Sequence, residues 1–205
     1  MANIKLTKGE LKRQRDSLAQ FRRYMPTLQL KKQQLQMEIV RQLGILEEIK
    51  QLYRKNFQIV FNWAGLLADP HINLKVFLKP IQIIRSTKNI AGIDIPVFDR
   101  LEFSAADYDL FTAPLWADAA VEELRALISL SRRISVAEEG VAILRHELRI
   151  TTQRVNLFEK VKIPEAEEAI RRIKIYIGDQ MSNAVGRSKI AKRKIEALEL
   201  AGVAA

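Results

Sequence analysis

LRHELRITTQRVNLFEKVKIPEAEEAIRRIKIYI, residues 144–177, is the stretch whose reading decides the fold. Apolar or small side chains recur at Leu144, Leu148, Thr151, Val155 and Phe158, in steps of four and three. That spacing draws a narrow stripe down one side of a helix, the seam of a coiled coil, which must face another helix. Beyond Ile163-Pro164 the stripe resumes at Ala166, Ile170, Ile173 and Ile177, out of step with what precedes it. Proline lacks an amide hydrogen and crowds the preceding turn, so a bend is expected near Pro164. A seam this long needs a partner helix of comparable length.

The first third of the chain supplies one. Thr7 followed by Glu10 has the form of a capping box. Leu11, Leu18 and Met25 then repeat every seven residues, and after Pro26 the pattern returns through Leu28, Leu35, Ile39, Leu43, Leu46, Ile49, Tyr53, Phe57 and Val60. The spacing predicts a helix from about residue 8 to about residue 67, kinked near Pro26 and roughly 90 Å long at 1.5 Å per residue.

The helical pattern fails at Asp69-Pro70. Between Tyr53 and Trp116 lie ten of the fourteen aromatics and four of the six prolines, which suits a compact head better than a slim coil. Inside it Ile81-Gln82-Ile83, Ile93-Asp94-Ile95 and Leu101-Glu102-Phe103 alternate with period two, a strand signal. The polar run Ser86-Thr87-Lys88-Asn89 reads as the turn of a hairpin spanning about 81–103, with Gly92 as a bulge. Thr112-Ala113-Pro114 reads as the start of the second long helix. That helix is expected to run to about residue 198, interrupted at most at Gly140 and Pro164, before a fraying tail from Ala201 to Ala205.

The expected fold class is therefore all-α: a long antiparallel two-helix coiled coil formed by the N- and C-terminal helices, with a small central head containing a short β-hairpin. The expected divisions are residues 1–67 for the first shaft helix, 68–113 for the head, and 114–205 for the second shaft helix and tail. The helices join at one end only, so they run antiparallel and the two termini meet at the other end.

Composition narrows the function. Hydrophobic residues at 48%, charged residues at 28%, and only eight Gly and six Pro favour a helix-rich protein. The absence of cysteine excludes disulfides and thiolate metal sites and fits a reducing compartment. The most apolar window, Ile59 to Ala68, is about half the ~20 residues a membrane-spanning helix needs, so the reading is of a soluble, cytoplasmic protein. The net charge of +10 divides as +8 over residues 1–60, −3 over 61–130 and +5 over 131–205. Such basic ends seek an acidic partner: nucleic acid, an anionic membrane or an acidic protein surface. The candidate contacts are Lys12, Arg13, Arg15, Arg22 and Arg23 near one end, and Lys189, Lys192, Arg193 and Lys194 near the other. Aromatics are sparse around these clusters and no nucleic-acid motif accompanies them, so a basic coiled coil that binds nucleic acid, or a scaffold, is the alternative rather than the first reading.

Chemistry finds little foothold. The two histidines, His71 and His146, stand far apart in the sequence and fall short of a metal ligand set. No phosphate-binding glycine motif occurs. Glu165, Glu167 and Glu168 follow Pro164 closely, where negative charge suits a helix N-terminus. No catalytic, cofactor-binding or metal residue is assigned. Arg154 and Asn156 flank the seam residue Val155, either pinning the register of the coil or facing a partner.

Three stretches together resemble the D subunit of the V-type (A/V-type) ATPase and ATP synthase. Leu28-Gln29-Leu30-Lys31-Lys32-Gln33-Gln34-Leu35 resembles that family's leucine- and lysine-rich helix segment. Asn89-Ile90-Ala91-Gly92-Ile93-Asp94-Ile95-Pro96 resembles its hairpin motif. Thr152-Gln153-Arg154-Val155-Asn156-Leu157-Phe158, followed by Ile163-Pro164, resembles its most specific run, since a coiled coil alone would not dictate Arg-Val-Asn before Ile-Pro. The resemblance implies a central rotor shaft without catalytic activity of its own, in a proton- or sodium-translocating rotary ATPase. It implies as partners the catalytic and nucleotide-binding subunits of the ring, the small F subunit of the central stalk and the socket subunit of the membrane rotor ring, in a complex peripheral to the membrane. It further implies that the basic clusters face the sleeve, that Arg154, Val155 and Asn156 serve the coil register or the small stalk partner, and that Asn89, Gly92, Ile93, Ile95 and Pro96 form the hairpin.

Overall fold

The computed structural model describes residues 5–68, 74–105 and 114–203, with side chains to residue 197. The described residues are 80% helical, with two long helices packed against each other and a two-stranded antiparallel hairpin in the middle of the sequence, the class that the spacing predicts. In order the elements are α1 (Lys8–Trp63), short 3-10 turns at Ala64–Ala68 and Leu74–Val76, β1 (Pro80–Ile90), β2 (Ile93–Phe103), α2 (Ala117–Leu157), a single π-turn (Phe158–Lys162) and α3 (Ile163–Val203). They form two compact units, one of residues 1–30 with 152–205 and one of residues 31–151. Asp69-Pro70, His71 and the helix start at Thr112-Ala113 lie outside the described residues.

In the unit of residues 31–151, partners on α1 climb in number as those on α2 fall, so the two helices are antiparallel. Leu35 and Ile39 meet Leu144, the Lys50 ammonium lies 2.7 Å from the Glu138 carboxylate, and Trp63 Nε1 donates to Glu123 Oε2 at 2.8 Å. The hairpin completes the core. Ile93 and Ile95 pack with Leu35, Ile39 and Leu144, and Ile90, Ala91, Ile143 and Leu148 close around them. Leu35 and Leu144 are fully buried, and each such side chain stabilises the fold by roughly 1.5–3 kcal/mol through water exclusion.

The hairpin turns later than the polar run predicts. Ser86 to Asn89 continue β1, paired with Val97, Pro96, Ile95 and Asp94, and the reversal falls at Ala91-Gly92 between the paired Ile90 and Ile93. Both turn residues have positive φ, 52° for Ala91 and 79° for Gly92, the pattern of a two-residue turn whose twist matches the strands. The polar side chains bond across the strands, and Asn89 also braces the turn that follows it. Asn89 Nδ2 donates to Asp94 Oδ1 at 2.7 Å, Ser86 Oγ to Asp99 Oδ1 at 2.9 Å, and the Gly92 amide to Asn89 Oδ1 at 3.1 Å. The bulges sit elsewhere, between Pro80 and Gln82 and between Ile84 and Arg85.

A second cluster gathers Leu74, Ala120 and Val121 with Trp63, Leu78, Trp116 and Leu124. Arg125 ties the surrounding backbone down. Its guanidinium donates to the Phe77 carbonyl at 2.9 and 3.1 Å and to the Ser104 carbonyl at 2.6 Å, and stacks 5.1 Å from the Phe103 ring centroid.

In the other unit the stripe read from the sequence is the buried face. Val155, Ala166, Ala169, Ile170 and Ile173 are buried, and the Phe21 and Phe158 rings stack with centroids 5.3 Å apart. The slip between Phe158 and Ala166 has a structural counterpart in the π-turn, where the Ile163 amide donates to the Phe158 carbonyl, five residues back. A π-turn holds one residue more than an α-turn, which absorbs the slip and returns Ala166 and Ile170 to the seam. Pro164 then follows as the second residue of α3, directly after the π-turn, so the change of helical bonding and the proline fall together. α1 runs through Pro26 without interruption. Pro26 and Arg22 are exposed, so solvent can reach the carbonyl that Pro26 leaves without its helical donor. α2 likewise passes through Gly140, and α3 continues to Val203, inside the tail expected to fray.

Candidate functional site

The first basic end opens on a helix cap. Thr7 caps α1, its Oγ1 accepting from the Glu10 amide at 3.2 Å. The return half of the box is replaced: the Thr7 amide goes to the Lys5 carbonyl, and the Glu10 carboxylate accepts from Gln14 Nε2 at 2.8 Å. The cap starts a helix whose next turns present Lys12, Arg13, Arg15, Arg22 and Arg23, all exposed. Among them Arg22 alone has an ion-pair partner among the described residues, Glu167 at 2.6 Å. Lys189, Lys192, Arg193 and Lys194 are exposed on α3, with Lys192 near Glu196 at 3.7 Å. Both clusters therefore belong to the unit of residues 1–30 and 152–205. Exposed pairs of this kind contribute about 0–1 kcal/mol each, so the face remains free to exchange partners.

Val155 is buried, and Arg154 and Asn156 on either side of it are exposed, with no side-chain hydrogen bond or ion pair among the described residues. Farther along α3, Glu168 accepts from Arg171 and from Arg172, each at 2.8 Å. The Arg171 hydrogen bonds, followed by that of Arg172, pull the Glu168 carboxyl down to about 2. This is the signature of a surface carboxylate fastened by two arginines on its own helix, not of an acid poised to give up a proton near neutrality.

The hairpin residues divide by role. Ile93 and Ile95 are core, Asn89 and Gly92 shape the turn, and Pro96 brings the β2 backbone against α2. A side-chain carbon built at Gly140 would lie 3.7 Å from the Pro96 carbonyl oxygen and 3.9 Å from Ile95 Cβ, ordinary contact distances, so β2 lies directly against α2 at this point. Arg85 bonds Glu139 at 3.1 Å on the same helix. The hairpin is thus fastened to α2 by both packing and charge.

Two features escape a reading of the sequence. Arg125 gives no sign of its role, because its acceptors are backbone carbonyls 21 and 48 residues away. The second is the continuation of the seam beyond Ile177, where Met181, Val185 and Ile195 are about half exposed. The steps of four to Met181 and Val185 do carry this signal, and it becomes informative once the side chains prove uncovered. Among the described residues, no group of three or more His, Asp or Glu could hold a metal ion, and no helix is long and apolar enough to cross a membrane. The arrangement offers surface and stiffness.

Comparison with known proteins agrees with this picture. A family model for the D subunit of ATP synthase matches residues 10–193. The chain is 42% identical over 196 residues to the D subunit of the V-type ATP synthase of Borreliella burgdorferi, covering 95% of this chain and 96% of the relative. It is 32% identical over 198 residues to the protein of the same name in Chlamydia abortus, covering 95% of each. For that of Chlamydia pneumoniae the identity is 31% over 195 residues, covering 94% of this chain and 93% of the relative.

Proposed function

We propose that this chain, which belongs to the family of ATP synthase D subunits, is the central-stalk component of a V-type rotary ATPase and performs no bond chemistry itself. The single observation that carries this is the match along almost the whole chain, residues 10–193, rather than over one motif. The reading as a nucleic-acid-binding coiled coil gains no support from the comparisons.

Its mechanism as a shaft follows from the packing. Torque needs an element that resists twisting, and antiparallel helices locked along a seam supply one. The shaft couples ATP hydrolysis or synthesis in a ring of catalytic and nucleotide-binding subunits to rotation of the membrane ring, and so to proton or sodium transport. The small F subunit of the stalk and the socket subunit of the membrane ring are its other neighbours, in a cytoplasmic assembly peripheral to the membrane. Lys12, Arg13, Arg15, Arg22, Arg23, Lys189, Lys192, Arg193 and Lys194 face acidic loops of the sleeve, and Arg154 and Asn156 face a stalk partner. Long cationic side chains suit a turning surface, because each exposed pair is weak and none holds one angle.

The test is assembly and coupling. The chain purified with its ATPase should be present as one copy per hexameric ring. Reversing Lys12, Arg13 and Arg15 to Glu should lower ATP-driven ion pumping more than ATP hydrolysis. Unchanged coupled pumping removes the basic clusters from the mechanism, and a chain that never co-purifies with an ATPase removes the shaft role altogether.

A further inference from the structure

The α1–α2 pair in the unit of residues 31–151 has two flanking grooves, and only one is filled. α1 turns Gln42, Ile45 and Ile49 toward the groove lined by Ile95 to Phe98 of the hairpin. Leu43, Leu46 and Lys50, each one residue on and so about 100° round the helix, line a second groove. Its volume is about 610 Å³, and no hairpin residue lines it.

This open groove has a chemical character of its own. Its floor is apolar, with Leu43 and Ala142 still exposed at its surface. Arg145 and Arg149 project along its α2 wall, both exposed and without an ion-pair partner among the described residues. The one carboxylate in the lining, Glu138, is already engaged by Lys50 at 2.7 Å. The free charge facing the groove is therefore positive. The two arginines stand four residues apart, about 6 Å along the helix, the interval at which a second helix repeats a side chain on one face.

We propose that this groove seats an acidic amphipathic helix of another polypeptide, its carboxylates one turn apart on Arg145 and Arg149 and its apolar side chains on Leu43 and Ala142. Both halves of the groove require it. A small anion would satisfy the arginines and leave the apolar floor wet, while a purely apolar helix would bury two guanidinium groups without partners, at a cost too large to sustain binding. A helix with both characters answers each demand, as in other helix-in-groove interfaces. The inference rests on the chain's place in the stalk and adds where, and with what chemistry, a neighbour docks.

The test uses the full chain in the purified ATPase, with the photoreactive residue p-benzoylphenylalanine replacing Ala142. Irradiation should join it to one peptide of another polypeptide of the complex, helical, with Asp or Glu at a spacing of three or four. Arg145→Glu with Arg149→Glu should then lower retention of that polypeptide by about tenfold or more, whereas Arg145→Lys with Arg149→Lys should retain most of it. The thermal midpoint of the isolated chain should stay unchanged, since both positions are exposed and unpaired. An assembled ATPase with no cross-link from position 142, or a cross-link to a peptide lacking that acidic spacing, overturns the proposal and leaves the shaft role standing. Failure of the unmodified chain to co-purify with an ATPase overturns both.

Discussion

The two units of this chain are built from the same helices and hold together differently. Residues 31–151 have depth: α1 and α2 close on a hairpin, and large aliphatic side chains from all three elements share one buried cluster. The unit of residues 1–30 with 152–205 has only a seam. Among the described residues, five of the nineteen buried apolar side chains fall there, two of them alanines, and none of the five is on α1. A two-helix contact has no third layer to shut its edges, so only a narrow line of side chains along it is buried. A hairpin laid across the pair turns such a seam into a core.

The contrast can be broken most directly by cutting one fully buried side chain in each unit. Leu144→Ala should cost about 3–5 kcal/mol, because its neighbours from three elements cannot all collapse into the space. Ile173→Ala should cost about 2–3 kcal/mol, since a seam open at its edges relaxes more readily. Urea denaturation followed by circular dichroism measures both. Equal losses would mean that the seam is as firmly packed as the hairpin-backed core.

A smaller effect sharpens the hairpin's part in it. Gly140→Val should destabilise by about 1–3 kcal/mol, as its branched methyls press on Pro96 and Ile95 of β2. Gly178→Ala, at a position where an added carbon meets nothing within 4 Å, should stabilise by about 0.5–1 kcal/mol through helix propensity alone. The same denaturation experiment separates them, and a destabilising Gly178→Ala would reveal packing on α3 that its open surroundings do not account for.

The smallest effect is electrostatic. Arg171 and Arg172 hold Glu168 at about 2, below its ordinary 4.5. A depressed carboxyl contributes stability that is present above the ordinary value and lost as the pH falls toward about 2. The group lies at the surface, so solvent screening keeps that contribution slight. Carbon-detected NMR should place the Glu168 midpoint near about 2, and Arg171→Gln should raise it more than Arg172→Gln does. A midpoint at the ordinary value would show that these arginines spend their time elsewhere.

The helical class, the pairing of the long helices and the residues of the seam were all legible in the sequence. Steps of three and four leave a stripe on one face of a helix, and burial at Leu144, Val155, Ile170 and Ile173 follows from that stripe wherever a partner runs alongside. Even the slip before Ala166 was visible as a count of residues, although its resolution as a π-turn is a matter of backbone bonding. The hairpin was legible as alternation, but its turn was not. Polarity favoured Ser86 to Asn89, while the observed register continues through them and reverses at Ala91-Gly92, where backbone conformation matters more than polarity. Likewise the sequence singled out the basic clusters as sites because charge is a local property of residues. The open groove beside Arg145 and Arg149 depends on which side of the helix pair the hairpin covers. Periodicity fixes which face of an element is buried, since it is set by the pitch of the chain. What covers that face, and which neighbouring face stays open, depends on contacts between residues far apart in sequence, and only the tertiary structure decides them.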